Sequence, residues 1–150
     1  MQIHFRKIPF LVWFFILIGF FRTPELIAQT TNASGPGAIK VEVLYFHAPN
    51  RCPSCLATEN QTKKVLETHF RSEIAKGLVS FASLDLKESK NKALVEKYEI
   101  VFPALLILKK KGAKEGITDY STTAFQYAYP EPEKYEKLLR AEILKQLNSK

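Results

Sequence analysis

The stretch His47-Ala48-Pro49-Asn50-Arg51-Cys52-Pro53-Ser54-Cys55 holds both cysteines of a 150-residue chain, at the junction of two unlike patterns. Upstream, Lys40 to His47 (KVEVLYFH) is β-branched and aromatic with few polar residues, the composition of a buried central strand. Downstream, Pro53 to Phe70 turns helical. There Cys55, Leu56, Glu59, Thr62, Val65, Leu66, His69 and Phe70 recur at spacings of three and four and share a face. The two thiols therefore fall where a strand ends and a helix begins.

That placement has chemical consequences. Pro53 suits the first helical position, where its missing N–H costs nothing, and this makes Cys52 the helix N-cap. Free backbone N–H groups and the positive end of the helix dipole then lie beside its sulfur, with Arg51 as a neighbouring cation. These features stabilise a thiolate, the attacking species in disulfide exchange. Three other uses of the pair compete with a redox role. A structural zinc needs four ligands, and only His47 and His69 could join two sulfurs. A dithiol clamp for arsenite or copper(I) is chemically reasonable. A purely structural disulfide would close a loop too small to constrain the unfolded chain much.

Working outward, Leu78 to Leu86 (LVSFASLDL) reads as a second strand and Lys92 to Tyr98 as a short helix. Pro103 opens a third apolar run, PALLILKK. Lys111-Gly112 then turns into a weaker strand around Glu115 to Asp119, and Pro132 to Leu147 forms a last helix with Tyr135, Leu138, Leu139, Ile143 and Leu147 on one side. The order β-α-β-α-β-β-α calls for one parallel pair across the first, right-handed crossover and one antiparallel pair across the Gly112 turn. An α/β fold with a mixed central sheet and helices on both faces is expected.

The N-terminus reads as a targeting segment. Arg6 and Lys7 precede Ile8 to Phe21, an apolar run of 14 residues, and Arg22-Thr23-Pro24 ends it. Such a run suits a signal-peptide core and falls short of the ~20 residues that span a bilayer. Cleavage after Ala28 is expected, with a retained anchor as the alternative. Residues 29–37 form a flexible linker, and the folded domain runs from 38 to 150. Either outcome places the domain in the periplasm or cell envelope, in contact with a membrane only if the segment is kept. The whole chain carries a net charge of +7, and removing residues 1–28 leaves 19 basic and 14 acidic residues, or +5. The basic residues are scattered and not interleaved with aromatics, which argues against nucleic-acid binding. A monomer is expected.

A strand, a Cys-x-x-Cys at the next helix start and a proline before a late apolar strand together resemble the thioredoxin superfamily, over roughly Lys40 to Leu147. More narrowly, YFHAPNRCPSCLATENQTKKVLE, NKALVEKYEI and ITDYSTTAFQYAYPEPEKYEKLL are similar to an exported family labelled nitrophenyl compound nitroreductase subunit, ArsF type. Its Cys-x-x-Cys-x-x-x-Glu pattern is matched by Cys52, Cys55 and Glu59. The resemblance implies a thioredoxin-like fold and a redox-active Cys52–Cys55 disulfide, with Cys52 attacking and Cys55 resolving. It also implies protein thiols or disulfides as partners, met at Arg51, Phe102 and Pro103, with the Phe102–Pro103 bond cis. No glycine-rich phosphate loop is present, so neither a cofactor nor nitroreduction by this chain alone is expected.

The chain departs from thioredoxin in four places. Tyr45 stands where that family carries a buried Asp, and Arg51 replaces its Trp. The loop from Phe46 to Cys52 is one residue longer, and the segment from Tyr98 to Pro103 one residue shorter. Without the buried Asp, Glu59 is the nearest evident base for Cys55. Helical side chains lean toward the N-terminus, so Glu59 reaches back over that sulfur, and partial burial is expected to raise its pKa toward neutrality. The plainer alternative is an i,i+4 pair with Lys63.

Overall fold

The computed structural model describes residues 37–149; the expected signal segment 1–28 and nearly all of the 29–37 linker lie outside the described residues. Four strands, β1 (Ile39–His47), β2 (Val79–Asp85), β3 (Ala104–Lys111) and β4 (Lys114–Asp119), form one sheet in the order β2-β1-β3-β4. β1 runs parallel to β2 and antiparallel to β3, and β3 pairs antiparallel with β4, as the crossover and the Gly112 turn require. Gly112 has φ +57, a conformation that glycine adopts without the steric cost of a Cβ.

Among the described residues five α-helices accompany these strands: α1 (Pro53–His69), α2 (Arg71–Ala75), α3 (Lys92–Lys97), α4 (Ser121–Tyr127) and α5 (Pro132–Asn148). The pleat sorts the core into two layers. Val41, Val43 and Tyr45 of β1, with Leu105 and Ile107 of β3, face α1, α4 and α5 through Val65, Leu66, Ala124, Tyr135, Leu139 and Ile143. The alternate residues Leu44, Phe46, Leu106 and Leu108 pack with Leu84 against Leu94, Val95 and Tyr98 around α3. Helices on both faces of a β1-centred mixed sheet are the expected α/β architecture. A buried polar link fastens α1 to α5: the hydroxyls of Thr62 and Tyr135 lie 2.6 Å apart, and Thr62 donates to the Thr58 carbonyl at 2.7 Å.

Two short helices were not expected. After Phe70, which closes α1 with φ −128 and ψ 20, the chain turns at once into α2. The segment Ser121–Tyr127 is rich in threonine and aromatics, poor helix formers by themselves. It becomes helical because the Asp119 carboxylate accepts from the Ser121 N–H at 2.9 Å and Ala124 seals into the core.

α2 and α3 end in the same motif. The Gly77 N–H bonds to the Ile74 carbonyl and the Leu78 N–H to that of Glu73; likewise Glu99 bonds back to Glu96 and Ile100 to Val95. This is the six-to-one, five-to-two closure that places one residue in the left-handed region. Gly77 fills that position at φ 66 and Glu99 at φ 54.

Candidate functional site

The site begins where β1 stops. Cys52 is the N-cap of α1, with φ −75 and ψ 162, and Pro53 occupies the first turn. The Leu56 N–H bonds to the Cys52 carbonyl at 3.0 Å, which opens the helix. The Cys55 N–H points at the Cys52 sulfur at 3.2 Å, so a backbone donor at the positive end of the dipole addresses that atom. The two cysteines are joined as a disulfide with their Cα atoms 5.0 Å apart. Cys52 is exposed and Cys55 half-buried.

Arg51 and Glu59 bracket this pair. The Arg51 guanidinium is ion-paired with the Glu59 carboxylate, whose other oxygen accepts from Lys63 Nζ at 2.5 Å. Glu59 is 7% exposed. The expected rise of its pKa is not found. Burial does push the carboxyl up, but the hydrogen bonds from Lys63 and Arg51 outweigh it and hold Glu59 below its ordinary value. The Lys63 pair was foreseen as the plainer reading, whereas the tie to Arg51 was not. Arg51 is correspondingly not a free cation at Cys52: its guanidinium carbon lies 5.6 Å from the centre of the Tyr45 ring, with the side chain turned toward Glu59.

Tyr45 is a site residue that the sequence marks only as a departure from thioredoxin. It is fully buried, and its hydroxyl donates to the Cys55 carbonyl at 3.0 Å. Burial raises its phenol pKa, against the lowering effect of Arg51. His47 stands beside it, the two rings 5.9 Å apart. Strand β1 thus reaches under the helix start and grips the turn that carries Cys55.

Phe102 and Pro103 lie at the same end of the sheet, because Ala104 pairs with Phe46 just before the cysteine loop. The Phe102–Pro103 bond is trans, not cis as expected; no cis peptide occurs among the described residues. Val101 and Phe102 are each 76% exposed, so packing there does not offset the intrinsic trans preference of about 0.5–1 kcal/mol. With Tyr98, Pro103 and Ile117 they line an open groove of about 550 Å³ whose walls include neither cysteine. Among the described residues, no cluster of three or more His, Cys, Asp or Glu could hold a metal ion.

A β-α-β unit, an antiparallel hairpin, helices on both faces and a Cys-x-x-Cys disulfide opening the first helix define a thioredoxin-like fold. No family model matches the chain, and no curated protein matches it. Among solved structures it is similar to a thioredoxin-2 described as a component of malaria parasite protein secretion machinery, at 20% identity and a TM-score of 0.43, over 71% of this chain and 84% of that one. A thioredoxin-like protein from Clostridium perfringens is 15% identical with a TM-score of 0.43, over 85% of this chain and 98% of that one. A thioredoxin from Thermus thermophilus is 17% identical with a TM-score of 0.38, over 71% and 76%. The fold rests on strand order and register.

Proposed function

We propose that this protein is an exported thiol–disulfide oxidoreductase or reductant carrier that works through the Cys52–Cys55 couple. The observation that carries the reading is the Cys55 N–H directed at the exposed Cys52 sulfur at the start of α1. In the reducing direction, the Cys52 thiolate attacks one sulfur of a client disulfide, a mixed disulfide forms and the first client thiolate leaves. Cys55 then gives up its proton and attacks the Cys52 sulfur. The second client thiolate departs, and both client sulfurs take up protons. Two electrons pass to the client, and the protein is left with the Cys52–Cys55 disulfide. A dithiol donor restores the reduced pair, and the whole sequence runs backward against a more reducing client.

Tyr45 holds the turn that carries Cys55 in place for the resolving step. Phe102 and Pro103, beside the exposed Val101 and Ile117, supply an apolar face for a client segment at the same end of the sheet. Export rests on the sequence of residues 1–28. Intact mass of protein from a native-like host is expected to show a chain starting near Gln29, and a full-length cytosolic protein would reject export.

Insulin reduction in the presence of dithiothreitol tests the chemistry. The wild type is expected to catalyse it, and Cys52→Ser to abolish it. Stoichiometric arsenite or copper(I) binding with no catalysis would replace this reading by a dithiol metal-binding one.

A further inference from the structure

Arg51 precedes Cys52 in the chain, and once the disulfide opens its guanidinium has two possible anions: the Cys52 thiolate and the Glu59 carboxylate. The structure commits it to Glu59. Neighbouring contacts support that pairing. Glu59 is almost fully buried and also bound by Lys63. The guanidinium packs near the face of Tyr45, which is itself fixed by its bond to the Cys55 carbonyl. The residue just before the first cysteine is therefore strapped to the residue one helical turn after the second.

We propose that Glu59 is a positioning residue that withholds Arg51 from Cys52 and so keeps the cysteine pair a stronger reductant than its helix-start location alone would make it. The proposal rests on the thiol–disulfide reading above and concerns how that site is tuned. The physical basis is a difference between redox states. The disulfide carries no charge, so moving a cation toward it gains little. The reduced form carries a thiolate, and a nearby guanidinium stabilises that form alone. Whatever stabilises the dithiol form raises the reduction potential and weakens the pair as a reductant. By engaging Arg51, Glu59 removes that stabilisation.

Equilibration with glutathione redox buffers at pH 7 tests this, because it reads the potential of the couple whether or not the protein reduces insulin. In Glu59→Gln the couple is expected to shift on the order of tenfold toward the dithiol, about 30 mV upward. The pH midpoint for alkylation of Cys52 is expected to fall with it. Arg51→Met alone is expected to change the potential less than about twofold, since a withheld Arg51 contributes little. In an Arg51→Met background, adding Glu59→Gln is likewise expected to have an effect below about twofold. Tyr45 and His47 on β1 and Lys63 on α1 are the same in every variant.

Three results would overturn the proposal. One is an unchanged or lower potential in Glu59→Gln. Another is a tenfold shift away from the dithiol in Arg51→Met alone, which would show Arg51 already serving the thiolate. The third is an equal Glu59→Gln effect with and without Arg51, the mark of a plain field or structural effect. Loss of insulin reduction in the wild type, with these shifts intact, would instead reject the oxidoreductase reading and leave the tuning device standing.

Discussion

The hydroxyl of Tyr45 donates to the carbonyl of Cys55 across ten residues of sequence, so the central strand grips the helix turn that carries the resolving sulfur. Tyr45→Phe keeps the ring and removes that bond. It is expected to lower stability by about 0.5–1.5 kcal/mol, the usual net worth of a hydrogen bond, in a urea unfolding series. Resolution of a mixed disulfide on Cys52 should slow as well, because the Cys55 turn is then less firmly held. An unchanged resolution rate together with unchanged stability would show that the bond does not position Cys55.

Glu59 links acidity to stability. Its carboxyl pKa is depressed in the folded protein, so the stabilisation is present above the unfolded-state value and is lost as pH falls through the lower folded value. Wild type is therefore expected to lose stability on acidification below the ordinary carboxylate pKa by an increment that Glu59→Gln does not show. At pH 7 the substitution is expected to cost about 1–3 kcal/mol, as for a hydrogen-bonded charged group that loses its partner. Urea midpoints for both proteins between neutral pH and pH 3 make the comparison. Parallel curves would mean that Glu59 contributes nothing of this kind.

Exposure and the helix start both single out Cys52. After reduction, iodoacetamide at mildly acidic pH is expected to modify Cys52 about tenfold faster than the half-buried Cys55. Peptide mapping reads the order directly, and preferential labelling of Cys55 would reverse the roles given to the two sulfurs.

The matched ends of α2 and α3 supply an internal control on backbone strain. Gly77 meets the left-handed requirement freely, whereas Glu99 meets it at φ 54 with a side chain. Forcing a Cβ into that region costs about 1–2 kcal/mol, and glycine returns part of this by loosening the unfolded chain. Glu99→Gly is accordingly expected to stabilise the protein by about 0.5–1 kcal/mol, read as a higher urea midpoint at unchanged slope. A lower midpoint would mean that the Glu99 side chain contributes more than its backbone costs.

Much of this architecture was legible in the residues. The unbroken apolar run of β1, the three-and-four spacing from Cys55 to Phe70 and the Lys111-Gly112 turn each have one natural reading, and the structure follows them. α4 was hidden because Thr122, Thr123, Phe125 and Tyr127 disfavour a helix locally, and only the Asp119 cap and the burial of Ala124 overrule them. At the site, the Glu59–Lys63 pair shows as an i,i+4 spacing. The Arg51–Glu59 pair does not, since it depends on how a non-helical loop folds back over the first turns of α1. The pKa expectation for Glu59 failed for that reason: burial was visible in the helical pattern, and the second cation was not.

The direction of β1 has one more consequence. Its first residue, Ile39, pairs with Lys111 beside the hairpin tip, and its last, His47, leads into the cysteine loop. Nine residues of extended strand put about 30 Å between the two ends. The described chain therefore enters the sheet at the end of β1 remote from the cysteine loop. Fusion partners, surface linkages and fluorescent labels placed upstream of the domain are thus expected to leave insulin turnover unchanged. The same additions grafted into the loop between His47 and Cys52 should block it.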